Sequence, residues 1–231
     1  MAFPYFFEQN LTDSKEFTLS EETSRHISQV LRMKENEKIN LTDGKGYTIL
    51  AEIVLADKKK TKVKCIQKSL SDEPRPKTAI AISLIKNSNR FEWFAEKATE
   101  IGISAIIPLI CQRSEKTHFK SERIKAILIS AMLQSQQAWL PELREPVKIS
   151  ELINDAEYDE KFIAHCLNEE KNDLSTVVKN SNSKIILIGP EGDFTEEEIQ
   201  AAIQKNYIPV SLGNTRLRTE TAAIVAAVLL K

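Results

Sequence analysis

An alternation of strand-like and helix-like segments over residues 78–230 constrains the fold of this chain most strongly. Short apolar stretches recur there, and each is followed by a segment whose apolar residues have helical spacing. Strands are predicted at 78–85, 104–111, 161–166, 184–189 and 207–212, and helices at 89–101, 121–137, 172–179, 195–205 and 219–230. Because strands joined by single helices form parallel sheets with helices on both faces, the pattern predicts an α/β fold with a mostly parallel sheet.

The chain before this region has a different pattern. Strands are predicted at 38–41, 47–55 and 61–67, with an Asp43-Gly44 turn that is typical of a hairpin. One helix is expected at 20–32, with Ile27, Val30 and Leu31 on one face. The segment SDEPRPK at 71–77 is a plausible linker. We therefore expect a small β barrel at 1–72 and a separate α/β domain at 73–231.

Composition excludes several classes of protein. The formal net charge of the 231 residues is −1, so nucleic-acid binding would require a local basic patch. Three widely spaced cysteines argue against a disulfide framework and favour a reducing compartment. The first residues lack the pattern of a signal peptide, and the longest apolar run, 222–230, is too short to span a bilayer. We expect a cytoplasmic protein without membrane contact.

The strand at 184–189 leads into a turn that we name the first glycine turn, residues 189–194, with sequence GPEGDF. Thr195 and Glu198 have the spacing of a capping box, which predicts the start of the next helix. The glycines would allow close approach of a ligand, or they could serve only a tight connection. Carboxylates crowd the turn and the helix start, at positions 191, 193 and 196–198. They disfavour a phosphate-bearing ligand and suit a cationic one, such as a sulfonium.

The strand at 207–212 leads into the second glycine turn, residues 212–218, with sequence LGNTRLR. Arg216 and Arg218 precede the final helix, where a positive charge opposes the helix macrodipole. Either Glu220 offsets one of them in an ion pair, or an arginine faces a substrate anion or a polar base edge. The helix at 221–230 is almost entirely apolar, which predicts an enclosed position or a subunit interface.

At these two turns the chain resembles the trefoil-knotted (SPOUT) RNA methyltransferases, and most closely the ribosomal RNA small subunit methyltransferase E family. The matching segments are 189–195, 212–213 and 216–222, with further matches at His26, 30–32, 43–44, 97–102, 113–114, 134–135 and Pro141. The resemblance implies a PUA-like β barrel followed by a knotted α/β domain. It also implies a homodimer that uses S-adenosylmethionine to methylate N3 of a uridine in small-subunit ribosomal RNA. Asp193 stands where the family usually has glycine.

Candidate roles follow from the residues and from this resemblance. Arg218 is expected to stabilise a uracil oxygen, and Glu220 or Glu191 to receive the N3 proton. The expected cofactor-binding residues are Leu167, Ile188, Gly189, Gly192, Leu212, Gly213, Leu217, Arg218 and Thr221. The expected RNA-binding residues are Arg32, Lys60, Lys62, Arg113 and Arg216.

The basic stretch at 58–64 has two explanations of equal weight. Lys60, Lys62 and Lys64 would share one face of a strand, where they could bind RNA or guard an exposed edge. With only three histidines, no metal site is expected. The expected partner is ribosomal RNA or an assembling 30S particle. Two alternatives stay open: another SPOUT enzyme acting on large-subunit or transfer RNA, or a non-catalytic ribosome-associated protein.

Overall fold

The computed structural model describes residues 3–12, 14–115, 118–167 and 171–231. The described chain forms two compact units. The N-terminal unit contains the residues up to 73 together with 129–140, and the C-terminal unit contains 74–128 and 141–231. A segment of a predicted helix, 129–137, therefore clusters with the N-terminal unit although it follows the Pro-rich linker in sequence.

The N-terminal unit is built on a five-stranded sheet. Its strands are β1 (Tyr5–Phe7), β2 (Glu16–Thr18), β3 (Lys38–Thr42), β4 (Tyr47–Leu55) and β5 (Lys62–Leu70). Their order is β1-β3-β4-β5-β2, with β1 parallel to β3 and the other pairs antiparallel. Alternate residues of β4 are buried, as expected for a sheet with one covered face. β1 and β2 were missed because three-residue strands carry too short a pattern.

The predicted helix at 20–32 is shorter and changes its geometry. Helix α1 (Glu21–Arg25) begins at Ser20, whose hydroxyl accepts a hydrogen bond from the Thr23 amide. It continues as a π-helical segment, His26–Val30, in which the Leu31 amide donates to the His26 carbonyl. Because a π-helical turn contains more residues than an α-helical one, the side chains that follow it point in other directions than they would in a continuous α-helix. Ile27 is buried as predicted, but Val30 is 66% exposed and Leu31 46% exposed, so that part of the prediction was wrong.

The C-terminal unit contains an eight-stranded sheet. Its strands are β6 (Lys77–Ser83), β7 (Ala105–Ile110), β8 (Glu142–Leu143), β9 (Val147–Lys148), β10 (Glu160–Ala164), β11 (Asn172–Asp173), β12 (Ser183–Ile188) and β13 (Ile208–Ser211). The order is β11-β13-β10-β12-β6-β7-β8, β9 also pairs with β7, and every pair is parallel. The carboxyl ends of β6, β10, β12 and β13 therefore lie along one edge.

The helices that the described residues form beside this sheet are α2 (Ser88–Ile101), α3 (Ser121–Gln134), α4 (Ile149–Asp155), α5 (Leu174–Val177), α6 (Glu196–Gln204) and α7 (Thr219–Leu230). The predicted capping box is present at α6, where Thr195 and Glu198 bond each other's backbone amides. α4 was not predicted, and it supplies Leu152 and Ile153 to the core. Within the described part of the chain, no helix is long and apolar enough to cross a membrane.

The apolar helix α7 lies against α2, β6 and β12. Its buried face carries Ala223, Ala226, Ala227 and Leu230, whereas Val228 is 59% exposed. Its last turn is tied down by a buried cation, because Lys184 of β12 donates from Nζ to the Leu230 carbonyl at 3.1 Å. Lys184 thus compensates a backbone carbonyl that the helix end leaves without an intrahelical partner.

Candidate active site

A cavity of about 770 Å³ opens at the carboxyl ends of β10, β12 and β13. Both glycine turns and the loop after β10 form its walls, which is where open α/β sheets bind ligands. The cavity brings together many of the predicted site residues: Leu167, Ile188, Gly189, Glu191, Leu212, Gly213, Arg216, Leu217 and Arg218. Gly192, Thr221, Glu220 and Arg113 are predicted site residues of the same unit that do not line it.

The first glycine turn is held by Asp193, which has the left-handed φ of 62°. Its Oδ1 accepts a hydrogen bond from the Phe194 amide at 2.8 Å, and its Oδ2 accepts one from the Cys166 amide at 2.7 Å. Asparagine and aspartate tolerate this backbone region better than other side chains. One carboxylate therefore fixes its own turn and connects it to the loop after β10.

Gly189 is required for internal packing, and it also lines the cavity. A Cβ at this position would lie 3.2 Å from both the ring and the amide nitrogen of Phe194, whose side chain is buried. Arg113 braces the same turn, since its Nη1 donates to the carbonyls of Gly192, at 2.8 Å, and Phe194, at 3.3 Å. The ligand contact of Gly189 and the RNA contact of Arg113 both stay predictions.

The second glycine turn is open. Gly213 has a φ of 104°, and no atom lies within 4 Å of the position that a Cβ would occupy. Residues 213–216 are exposed. Within the described part of the chain, Arg216 and Arg218 form no ion pair, and Arg218 precedes α7 without a side-chain cap. Both guanidinium groups are therefore available to a ligand at the cavity.

Glu220 pairs with a residue other than the one the sequence suggested. Its carboxylate is buried in the first turn of α7, and Oε1 lies 3.6 Å from Nε of Arg90 on α2. Of the two alternatives for the arginines of the second glycine turn, the ion pair with Glu220 is absent among the described residues, because α7 packs against α2 and directs this carboxylate to Arg90. Thr221, one residue further along α7, is half-buried beside the cavity residue Ala222.

Sequence reasoning did not find Lys171 among the residues that line the cavity. Its Nζ donates to the carbonyls of His165, at 2.7 Å, and Leu167, at 2.6 Å, which connects it to the segment that directly follows β10. Desolvation, followed by the Asp193 carboxylate, raises the pKa of the exposed Cys166 thiol, whereas Arg216 and Lys171 act in the opposite direction. No local motif marks Lys171, since its acceptors are backbone carbonyls.

The remaining predicted RNA-binding residues belong to the N-terminal unit. Arg32 is exposed and has a left-handed φ of 53°. Lys62 is exposed at the start of β5. Lys60 lies in the preceding turn, where its amide donates to Oδ1 of Asp57, so the predicted sharing of one strand face by Lys60 and Lys62 was wrong. Among the described residues, no group of three or more metal-ligating side chains could hold an ion.

Comparisons with known proteins agree with this architecture. A family model described as an RNA methyltransferase domain matches residues 71–231, and an RNA methyltransferase PUA domain matches 19–65. Ribosomal RNA small subunit methyltransferase E of Synechocystis is 32% identical over 216 residues, which cover 90% of this chain and 70% of the relative.

Two solved structures share nearly the whole fold. A protein described as a probable rRNA-methyltransferase from Porphyromonas gingivalis has a TM-score of 0.91 at 36% identity, covering 97% of this chain and 95% of that one. A ribosomal RNA small subunit methyltransferase E from Neisseria gonorrhoeae, bound to S-adenosyl methionine, has a TM-score of 0.87 at 28% identity, covering 98% and 95%. The fold is thus a mostly parallel α/β domain of the SPOUT class preceded by a small PUA-like domain. This chain belongs to the ribosomal RNA small subunit methyltransferase E family.

Proposed function

We propose that this protein transfers the methyl group of S-adenosylmethionine to N3 of a uridine in small-subunit ribosomal RNA. The observation that supports the proposal best is the cavity between the two glycine turns. One wall carries carboxylates, and the other carries arginines that form no ion pair with any described residue. Relatives named for small-subunit rRNA methylation, one of them bound to S-adenosyl methionine, support the same reaction.

The residues of the cavity fit the cofactor. The empty space beside Gly213 is a position that only a residue without Cβ leaves open to a ligand. Ile188, Leu212 and Leu217 supply apolar contacts for the adenosine. The cofactor supplies an electrophilic methyl group on a sulfonium, and Glu191 and Asp193 give this wall the negative charge that suits a cation.

Uridine N3 carries a proton that must leave when the methyl group is attached. Oε1 of Glu191 accepts a hydrogen bond from the Lys86 amide at 3.3 Å, which holds the carboxylate and leaves Oε2 for another partner. We assign this carboxylate to receive the N3 proton. Arg218 donates to a uracil oxygen, where the negative charge of the deprotonated base develops. Glu220 is a positioning residue, because its pairing with Arg90 fixes the start of α7 beside Arg218.

The partners in the proposal extend beyond the cavity. The N-terminal unit would hold RNA through exposed cations such as Arg32 and Lys62. The exposed side of α7, which includes Val228, suits a homodimer interface because it is apolar and lies on a helix that is otherwise enclosed. The substrate would place the reaction in the cytoplasm.

The proposed dimer is tested by light scattering of the wild type and of Val228→Glu. The introduced charge should weaken the dimer.

The function is tested by nucleoside mass spectrometry. Small-subunit particles and naked rRNA from a strain lacking the gene are incubated with the protein and S-adenosylmethionine. We expect 3-methyluridine to appear in one of these substrates and in neither large-subunit RNA nor transfer RNA. Methylation of those other RNAs would favour another SPOUT activity. Cofactor binding without any transfer would overturn the enzymatic proposal in favour of a non-catalytic protein.

A further inference from the structure

A second cavity, of about 230 Å³, lies in the C-terminal unit beyond the carboxyl end of β6. Leu84 and Ile85 form its base, and the first turns of α2 and α3 form its sides. None of its lining residues belongs to the first cavity. Its volume is smaller than the 300–1000 Å³ or so that is typical of sites for whole small-molecule ligands. It therefore suits a single planar group.

The walls of this cavity combine aromatic rings with cations. Phe91 and Phe119 contact each other edge-to-face, with ring centroids 5.5 Å apart. The positive charge of Arg123 is compensated by an ion pair, because two of its nitrogen atoms donate to the carboxylate of Glu92 at 2.5 and 2.7 Å. Lys120 is exposed and forms no ion pair within the described part of the chain. Phe91 is buried and supports Phe119, which is partly exposed. An accessible aromatic ring beside an unneutralised cation is a combination by which proteins hold unstacked nucleotides.

The second cavity and the proposed catalytic site follow two neighbouring strands and lie at the same edge of the sheet. β6 pairs directly with β12, so their carboxyl ends are adjacent. The Lys86 amide, in the loop after β6, donates to Oε1 of Glu191 in the wall of the first cavity. A nucleotide bound after β6 would therefore lie one strand away from a uridine bound after β12. The backbones of paired strands are only about 4.8 Å apart, so a subsite after β6 is placed to hold a nucleotide close in sequence to the target.

We infer that the second cavity binds the base of an RNA nucleotide that flanks the target uridine, with Phe119 contacting the base and Lys120 the adjoining phosphate. The inference rests on the proposed function and adds to it a subsite that the methyl transfer itself does not require. Such a subsite would hold the RNA chain next to the target and would have little effect on the cofactor. It would also tolerate different bases, because stacking does not depend on hydrogen-bond patterns.

The phosphate contact is tested with a pair of charge reversals, one at the residue that precedes α3 and one within α3. Lys120→Glu should raise the KM for the RNA substrate about tenfold at low salt, because it replaces a phosphate contact by repulsion. Lys125→Glu, which changes an exposed lysine of α3 outside the cavity, should change KM by less than about twofold. The affinity for S-adenosylmethionine, measured by calorimetry, should be unchanged in both. Equal effects of the two reversals on KM would overturn the inference.

The base contact is tested with short RNAs that contain the target uridine and an abasic nucleotide on either side of it. For the wild type, one of the two abasic sites should weaken binding in fluorescence anisotropy about tenfold. For Phe119→Ala the same abasic site should have less than about a twofold effect, and Phe119→Tyr should restore the wild-type response. Thermal unfolding checks that Phe119→Ala is folded.

The outcomes separate the two claims. If the wild type methylates its RNA but responds equally to abasic sites with and without Phe119, only the subsite is overturned. If the wild type transfers no methyl group to any RNA, the proposed function is overturned and the subsite with it.

Discussion

The two glycine turns face the same cavity but are constructed in opposite ways. In the first, Gly189 packs closely against Phe194, Asp193 accepts two backbone hydrogen bonds, and Arg113 binds two carbonyls. In the second, Gly213 faces open space, and Arg216 and Arg218 form no ion pair within the described residues. One wall of the cavity is therefore preorganised, and the other depends on its ligand for contacts.

This difference separates two tasks of a group-transfer site. A rigid wall lowers the entropic cost of binding because its groups are already in place. An open wall with unpaired cations can reorganise around a large substrate, at the cost of ordering those side chains when it binds. We therefore expect changes in the first turn to alter stability and cofactor affinity, and changes in the second to alter methyl transfer.

The largest effect is expected for Arg218→Ala. The rate of methyl transfer in single-turnover experiments should fall about 10²- to 10³-fold, as when one donor to a developing oxyanion is removed. Affinity for S-adenosylmethionine should change by less than about threefold, since an exposed arginine contributes little to ground-state binding. Arg216→Ala is the comparison in the same turn, and because Arg216 is a predicted RNA contact, it should weaken RNA binding more than it slows the transfer step. Equal losses of rate and affinity would assign Arg218 to the cofactor and contradict the division of tasks.

A smaller effect is expected when the glycine of each turn is replaced by alanine, and the free energy of unfolding should fall by different amounts in the two variants. Gly189→Ala should lower the free energy of unfolding by roughly 1–3 kcal/mol, because its Cβ would crowd Phe194. Gly213→Ala meets no neighbour and should lower it by only about 1 kcal/mol, through the strain of a positive φ. Urea denaturation measures both values. A larger loss for Gly213→Ala would show that the second turn is the more constrained one.

Substitutions of Asp193 test whether the rigidity of the first glycine turn contributes to the binding of S-adenosylmethionine. Asp193→Gly keeps the left-handed backbone but removes both hydrogen bonds, and it should weaken S-adenosylmethionine binding about tenfold. Asp193→Asn keeps one amide oxygen as an acceptor and should have an intermediate effect. Calorimetry measures the two dissociation constants. Unchanged affinity in Asp193→Gly would mean that the turn holds its shape without this carboxylate.

The smallest effect concerns the thiol of Cys166, which lines the cavity in the segment after β10. Because the pKa of Cys166 is raised, less of it is thiolate at pH 7.5 than for an ordinary cysteine, and iodoacetamide should alkylate it slowly. The rate should rise about tenfold per pH unit until the pKa is reached. S-adenosylmethionine should slow the reaction several-fold, whereas Cys111, buried and with a pKa of about 12, should not react. Peptide mass spectrometry distinguishes alkylation of Cys166 from that of Cys111. Faster alkylation of Cys166 in the presence of S-adenosylmethionine would contradict its position beside the bound cofactor.

Features determined by neighbouring residues in sequence were predictable. The capping box of Thr195 and Glu198 follows from spacing alone, and the parallel sheet follows from the alternation of strands and helices. The position of the cavity followed from the rule that parallel strands present their carboxyl ends along one edge. In each case the controlling interactions are local or repeat with a fixed period.

Features that depend on distant contacts were not predictable. Glu220 pairs with Arg90, which is 130 residues earlier, and Asp193 binds an amide 27 residues away. The π-helical turn at 26–30 leaves no periodic signal over so short a length. The second cavity has no motif at all, because its aromatic and basic residues come from the start of α2, the segment before α3 and the first turn of α3, which the fold brings together.

The division of the chain into units also limits how its parts can be exchanged. The chain passes between the units three times, because residues 129–140 belong with the N-terminal strands. There Gly44 and Gly46 bond to the backbone of Leu140 and Ala138, and the Trp139 indole donates to the Ser71 carbonyl. A fragment ending at the Pro-rich linker would lose all three contacts. Recombination at a single junction would therefore not transfer a complete N-terminal unit to another protein, because residues 129–140 would be left behind.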